Sequence, residues 1–122
     1  MNPELEALAR RAVACSRWRW MRGMLTVDAV RLCSSGEAME LTGFPDGPKT
    51  RGFIGLPDLT DPATLGCLLA LVREAWSNPD LHVQRDGRLF VVNPTPKGSP
   101  PYGDIDAPTE AAVLVAALEA AP

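Results

Sequence analysis

Three arginines and two tryptophans interleave in SRWRWMRGM, Ser16 to Met24. A guanidinium forks onto phosphate or carboxylate and stacks on indole. Trp and Arg are also the residue types in which interfaces concentrate binding energy. Arg10 and Arg11 lie just upstream, and the five arginines from Arg10 to Arg22 have no acid among them. Arg10, Arg11, Arg17, Arg19 and Arg22 with Trp18 and Trp20 are therefore the first candidate site for an anion or a protein partner. The same residues also suit a plainer arrangement, a strand whose tryptophans anchor a core and whose arginines meet solvent. A second candidate is Arg85 with Arg88. If Asp86-Gly87 forms a hairpin turn, the two arginines oppose each other at its tip. They then repel unless an anion or an acid lies between them, or solvent screens them. A third is the loop 44–52, FPDGPKTRG, with Asp46, Lys49 and Arg51. Loops on rigid scaffolds carry recognition, and they also serve as plain connections.

Catalytic chemistry has fewer handles. The single histidine, His82, falls on an expected strand and points away from that strand's apolar face. No Ser, Cys or metal-ligand motif accompanies it. GFPDGPKT, Gly43 to Thr50, has the spacing of a phosphate-binding loop, but Pro48 stands where its second glycine belongs. Proline has no N–H to offer a phosphate. Asp104 and Asp106 precede a helix, where a cap and a solvated acid account for them better than a cation site. The cysteines, Cys15, Cys33 and Cys67, are odd in number and widely spaced, which reads as small buried thiols in a reducing compartment. No catalytic residue, metal or cofactor is expected.

These residues need a frame. Asn2-Pro3 caps a first helix running to about Cys15, with Leu5, Leu8, Ala9, Ala12 and Val13 at helical spacing. From Arg17 the rhythm becomes two, through Trp18 and Trp20 to Leu25, Val27 and Ala29, which predicts a strand. Ser34–Glu37 reads as a turn, AMELTGF as its partner strand, and Phe53-Ile54 as a short further strand. Asp61 and Pro62 then open a second helix with Leu65, Leu68, Leu69, Val72 and Trp76 on its apolar stripe, widened by Cys67 and Leu71. Asn78-Pro79 closes it. LHVQRDGRLFVVN predicts a hairpin in which Val83 opposes Phe90 and Leu81 opposes Val92. A proline-rich connector follows, and Asp106 caps a last helix with Val113, Leu114, Ala117 and Leu118 inward. The order α-β-β-(β)-α-β-β-α predicts a single α+β domain over 1–122, three helices on an antiparallel sheet of four to five strands.

Charge narrows the partners. The chain carries a net charge of −3, which argues against whole-surface attraction to nucleic acid or anionic membrane. Residues 1–31 nevertheless hold six Arg against Glu4, Glu6 and Asp28, while the remainder holds six basic and twelve acidic residues. The first apolar residues are interrupted by charges, unlike a secretion signal, and no apolar run reaches membrane-spanning length. A cytosolic setting is expected.

Four segments, ALARRAVAC, WRWMRGM, LPDLTDPATLGCLLALVREAW and EAAVLVAALEAAP, resemble a group of small uncharacterised accessory proteins encoded by bacteriophages and prophages of GC-rich bacteria. Arg22 stands where that group often has Pro. The resemblance supplies no catalytic residues and implies a phage accessory protein in a bacterial host cytosol. Together these readings lead to a non-enzymatic binding protein whose partner is a host protein, such as an inhibitor of an antiviral defence system. One alternative is a sponge for a nucleotide signal, which requires arginines from 17–22 or 85–88 to converge on one pocket, for instance across a homodimer interface. Another is nucleic-acid binding through the N-terminal arginines, which the net charge disfavours.

Overall fold

The computed structural model describes residues 2–27, 31–32, 39–41, 49–51, 55–96 and 103–122. Helix α1 spans Pro3–Ala14, and its start is local chemistry. The Asn2 side chain accepts from the Glu4 N–H at 2.8 Å, Pro3 takes the first position, and Glu4 and Glu6 suit the positive end of the helix. Helix α2, Pro62–Ala75, repeats the device with Asp61 as cap. It ends in a Schellman turn, in which Asn78 N–H donates to Arg73 O at 2.9 Å and Ser77 N–H to Glu74 O at 3.1 Å. The geometry forces Ser77 to φ 51, the left-handed region where glycine is usual.

Helix α3, Glu110–Ala120, is the centre of the molecule. Ala111, Val113, Leu114, Val115, Ala117 and Leu118 are all buried, so it is apolar around its whole circumference. It touches α1 and α2, and on another side the sheet. The Trp76 indole N–H donates to Ala117 O at 2.8 Å and fastens the end of α2 to it. The four apolar positions expected to face inward from this helix do so. The cap does not match expectation: Thr109, not Asp106, accepts from Ala112 N–H. Asp106 lies in a strand, because its backbone pairs with Val91.

The strands β1 (Met39–Leu41) and β2 (Lys49–Arg51) form an antiparallel pair of their own. β3 (Gln84–Asp86), β4 (Leu89–Val92) and β5 (Ile105–Ala107) form an antiparallel sheet in the order β3-β4-β5. The protein is thus α+β, with three helices and a three-stranded antiparallel sheet among the described residues. The single sheet of four to five strands does not form among the described residues, since β1 and β2 pair only with each other. β2 also corrects the expectation of an irregular loop over 44–52, because Thr50 and its neighbours find ladder partners on β1. Asp46, Cys33, the 34–37 turn, Phe53-Ile54 and residues 97–102 of the proline-rich connector lie outside the described residues.

Two further expectations change. Over the described residues 17–27 no strand forms; only Leu25 and Thr26 make isolated bridges, to Arg31 and Pro57. Alternation makes a segment suited to a strand, but a strand needs a neighbour: Gly23 and Met24 exchange backbone hydrogen bonds with Leu32, and residues 17–22 have no such partner among the described residues. The hairpin turns at Gly87-Arg88 rather than Asp86-Gly87, with Asp86 opposite Leu89 and Arg85 opposite Phe90. Gly87 has φ 62, the conformation a II′ turn demands at its first central position. The partner of each β3 residue moves by two, which preserves side-chain parity. The buried face, with Val92 and Ala107, therefore remains as expected.

Candidate functional site

After Cys15 the chain leaves α1 in a turn, with Trp18 N–H donating to Cys15 O at 3.0 Å. Trp18 and Trp20 then meet edge to face, their ring centroids 5.4 Å apart at 87°. Both rings are half-buried and pack against the core. Arg17, Arg19 and Arg22 are exposed between and beside them. The inward and outward alternation expected of a strand thus survives without one. The two tryptophans are neither wholly core nor wholly surface. The Trp18 indole N–H is buried and finds no acceptor among the described residues.

The five N-terminal arginines divide into two sets. Arg10 pairs with Glu6 at 2.8 Å along one face of α1, Arg11 reaches Glu119 of α3, and Arg19 reaches Glu74 of α2 at 2.7 Å. The hydrogen bond from Arg19 holds the Glu74 carboxyl below its ordinary range, and the bond to Glu119 raises Arg11. These three guanidiniums have local acids. Arg17 and Arg22 pair with no acid among the described residues. The corner at Trp18 and Trp20 therefore offers uncompensated positive charge beside aromatic surface.

The second candidate dissolves as a pair. Arg85 lies 5.2 Å over the Phe90 ring and its Nε donates to Gly87 O at 3.3 Å. Arg88 sits in the turn itself, exposed and across from no arginine. Of the third candidate, Lys49 and Arg51 lie in β2. His82 is exposed, as expected of a surface histidine. No group of three or more His, Cys, Asp or Glu among the described residues could hold a metal. The thiols of Cys15 and Cys67 are half-buried, and burial pushes the Cys67 thiol up.

The densest polar arrangement is one the sequence did not display. Arg31 forks onto Asp61, Nη2 to Oδ1 at 3.0 Å and Nη1 to Oδ2 at 3.1 Å, and also donates to Gly23 O at 2.6 Å. Asp61 Oδ2 accepts from both the N–H and the hydroxyl of Thr64 at 2.9 Å. The Thr64 hydroxyl in turn accepts from Leu25 N–H at 2.9 Å. The Arg31 hydrogen bond is the main cause holding the Asp61 carboxyl at about 2. Asp61 and Thr64 are visible in sequence as a cap and its third residue, but nothing local announces Arg31. The fork clamps the segment after Trp20 onto the start of α2, so it positions the candidate corner rather than forming a site.

Comparison with protein-family models, with curated proteins and with solved structures finds no match to this chain.

Proposed function

We propose that this chain is a non-enzymatic binding protein that docks on a protein through the Trp18–Trp20 corner. One observation carries the reading: two tryptophans stacked edge to face, flanked by Arg17 and Arg22, which have no acid of their own among the described residues. Half-exposed indoles supply area at small entropic cost, and uncompensated guanidiniums supply orientation toward carboxylates. The Arg31–Asp61 fork and the Arg19–Glu74 pair hold the corner in place before a partner arrives, which lowers the ordering cost of association. The likeness of WRWMRGM and the α2 segment to phage accessory proteins supplies the setting. In it the partner is a host protein, and the effect is inhibition of an antiviral defence factor in the bacterial cytosol.

The nucleotide-sponge reading has less support. The three main clefts among the described residues include none of Arg17, Arg19, Arg22, Arg85 or Arg88 in their walls. Nucleic-acid binding loses the continuous stripe it needs, since Arg10, Arg11 and Arg19 are already engaged with carboxylates. Affinity capture from host lysate tests the proposal. A protein held in stoichiometric amount by the wild type, and released when Trp20 is changed to Ala, is expected. A partner retained equally by Trp20→Ala, or a complex that nuclease treatment removes, would reject the corner as a protein-docking site.

A further inference from the structure

Among the described residues β5 is an edge strand, and its free side borders a cleft. The phase of the hairpin fixes what that edge offers. In a two-residue hairpin the residues flanking the turn exchange both backbone hydrogen bonds, here Asp86 and Leu89. Leu89 and Val91 therefore aim their backbone groups at β3, and Phe90 and Val92 aim theirs at β5. Asp106 stands opposite Val91, so its own N–H and C=O point away from β4. No described residue takes either group. The Asp106 side chain is exposed and pairs with no basic residue among the described residues.

The cleft beside this edge measures about 700 Å3, within the range of about 300–1,000 Å3 in which proteins hold ligands. It exists because α1 and β5 both pack near α3 without meeting: no Cα of α1 lies within 8 Å of a Cα of β5. A strand added to β5 would lie about 4.8 Å from it, inside that gap. Leu5 and Leu8 of α1 line one side, Ala112 and Ala116 of α3 the base, and Ala107 the strand side. Leu5, Ala112 and Ala116 are only half-buried, so apolar surface is left uncovered. Glu4, also in the wall, is exposed and unpaired among the described residues, while Arg11 is spent on Glu119.

We infer that this cleft takes up an extended segment of a partner protein, added antiparallel to β5 as a fourth strand, with a Lys or Arg opposite Asp106 and an apolar residue on either side of it. The unpaired N–H and C=O of Asp106 match the backbone of one residue in such a strand. Residues opposed across an antiparallel pair share a face, so the basic side chain meets the Asp106 carboxylate. Its two neighbours turn to the other face, that of Ala107, over Ala112, Ala116 and the α1 leucines. Charge selects the occupant, because Asp106 and Glu4 make the cleft acidic. A second copy of this chain fits poorly: β5 edges paired about Asp106 would set two carboxylates opposite each other. The exposed charge thus guards the edge against its own kind and admits a basic strand. The cleft shares no residue with the Trp18–Trp20 corner, so the inference goes beyond the proposed function and stands even if that corner is inert.

The test is an amide-resolved NMR titration of the full chain with a capped pentapeptide, Thr-Val-Lys-Val-Thr. Two relatives are titrated in parallel: one with Glu in place of Lys, and one with the Lys backbone nitrogen methylated. The first peptide is expected to shift the amides of Asp106, Ala112 and Ala116 saturably and to slow hydrogen exchange at the Asp106 N–H. The Glu peptide is expected to bind about fivefold or more weakly, and the methylated one, which cannot donate to Asp106 C=O, to lose binding. Asp106→Lys should reverse the preference, so that the Glu peptide binds better than the Lys peptide. The Asp106 side chain is exposed, so the variant folds, and an unchanged spectrum away from the cleft confirms it. No saturable shift at these amides, equal binding of the methylated peptide, or a charge preference that Asp106→Lys leaves unchanged would overturn the inference. So would protection of the Asp106 N–H that rises with protein concentration alone, which would give the edge to a second copy.

Discussion

The molecule has two regions of polar and aromatic chemistry that look alike in composition and differ in how far they are satisfied. Around α2, every prominent group has a partner: Trp76 N–H on Ala117 O, Arg31 forked on Asp61, Thr64 between Asp61 and Leu25, and the last carbonyls taken by Ser77 and Asn78. At the 16–23 corner, the Trp18 N–H has no acceptor, and Arg17 and Arg22 have no acid among the described residues. A buried polar group without a partner costs about 1–3 kcal/mol. The difference separates residues that hold the fold from residues left over for something else. Substitutions around α2 should therefore cost stability, and substitutions at the corner should cost association.

The largest effect is expected at Trp76. The residue is 8 % exposed, and replacement by Ala leaves a cavity and removes the donor to Ala117 O, a loss of about 3–5 kcal/mol in urea unfolding. A loss below about 1 kcal/mol would show that this joint is not holding α2 to α3. Next comes Asp61→Asn, expected to cost about 2 kcal/mol at neutral pH, from the drop of the carboxyl from 3.8 to about 2. The folded value is depressed, so the stabilisation is complete above 3.8 and disappears as the pH falls toward 2. Wild type and variant should converge in acid, and a gap that persists at low pH would assign the cost to packing instead of charge.

A matched pair sharpens the contrast further. Trp76→Phe removes a donor that is used, and Trp18→Phe removes one that is not. The first should cost about 1–2 kcal/mol more than the second in the same unfolding assay. Equal costs would mean that the Trp18 N–H is satisfied in solution. The smallest effect is a gain. Ser77 holds a left-handed conformation at φ 51, and Ser77→Gly should stabilise by about 0.5–1 kcal/mol. A thermal melt that falls would show that the Schellman turn does not close as described.

What the sequence disclosed follows the same division. Helix starts are local: Asn2-Pro3 and Asp61-Pro62 declare themselves within two residues, and the caps form as expected. For the last helix the sequence pointed to Asp106 as cap, and Asp106 was lost to β5 because strand pairing with Val91 is a long-range fact, so Thr109 caps instead. The tryptophan alternation reported correctly which side chains turn inward, yet could not say that no strand would lie beside them among the described residues. Arg10–Glu6 is one helical turn apart and readable. Arg11–Glu119, Arg19–Glu74 and Arg31–Asp61 join distant segments, so the neutralisation of the arginine run was invisible until the chain folded. The sequence showed a run of five arginines, and the fold leaves two of them without an acid among the described residues.

Those two carry the central claim, and a double charge reversal tests it most directly. Arg17→Glu with Arg22→Glu alters exposed side chains, so unfolding free energy should stay within about 0.5 kcal/mol of wild type. The variant should meanwhile lose the protein that the wild-type chain captures from host lysate. Stability unchanged and partner lost is the predicted result. A partner captured undiminished by the stable double variant would contradict the account.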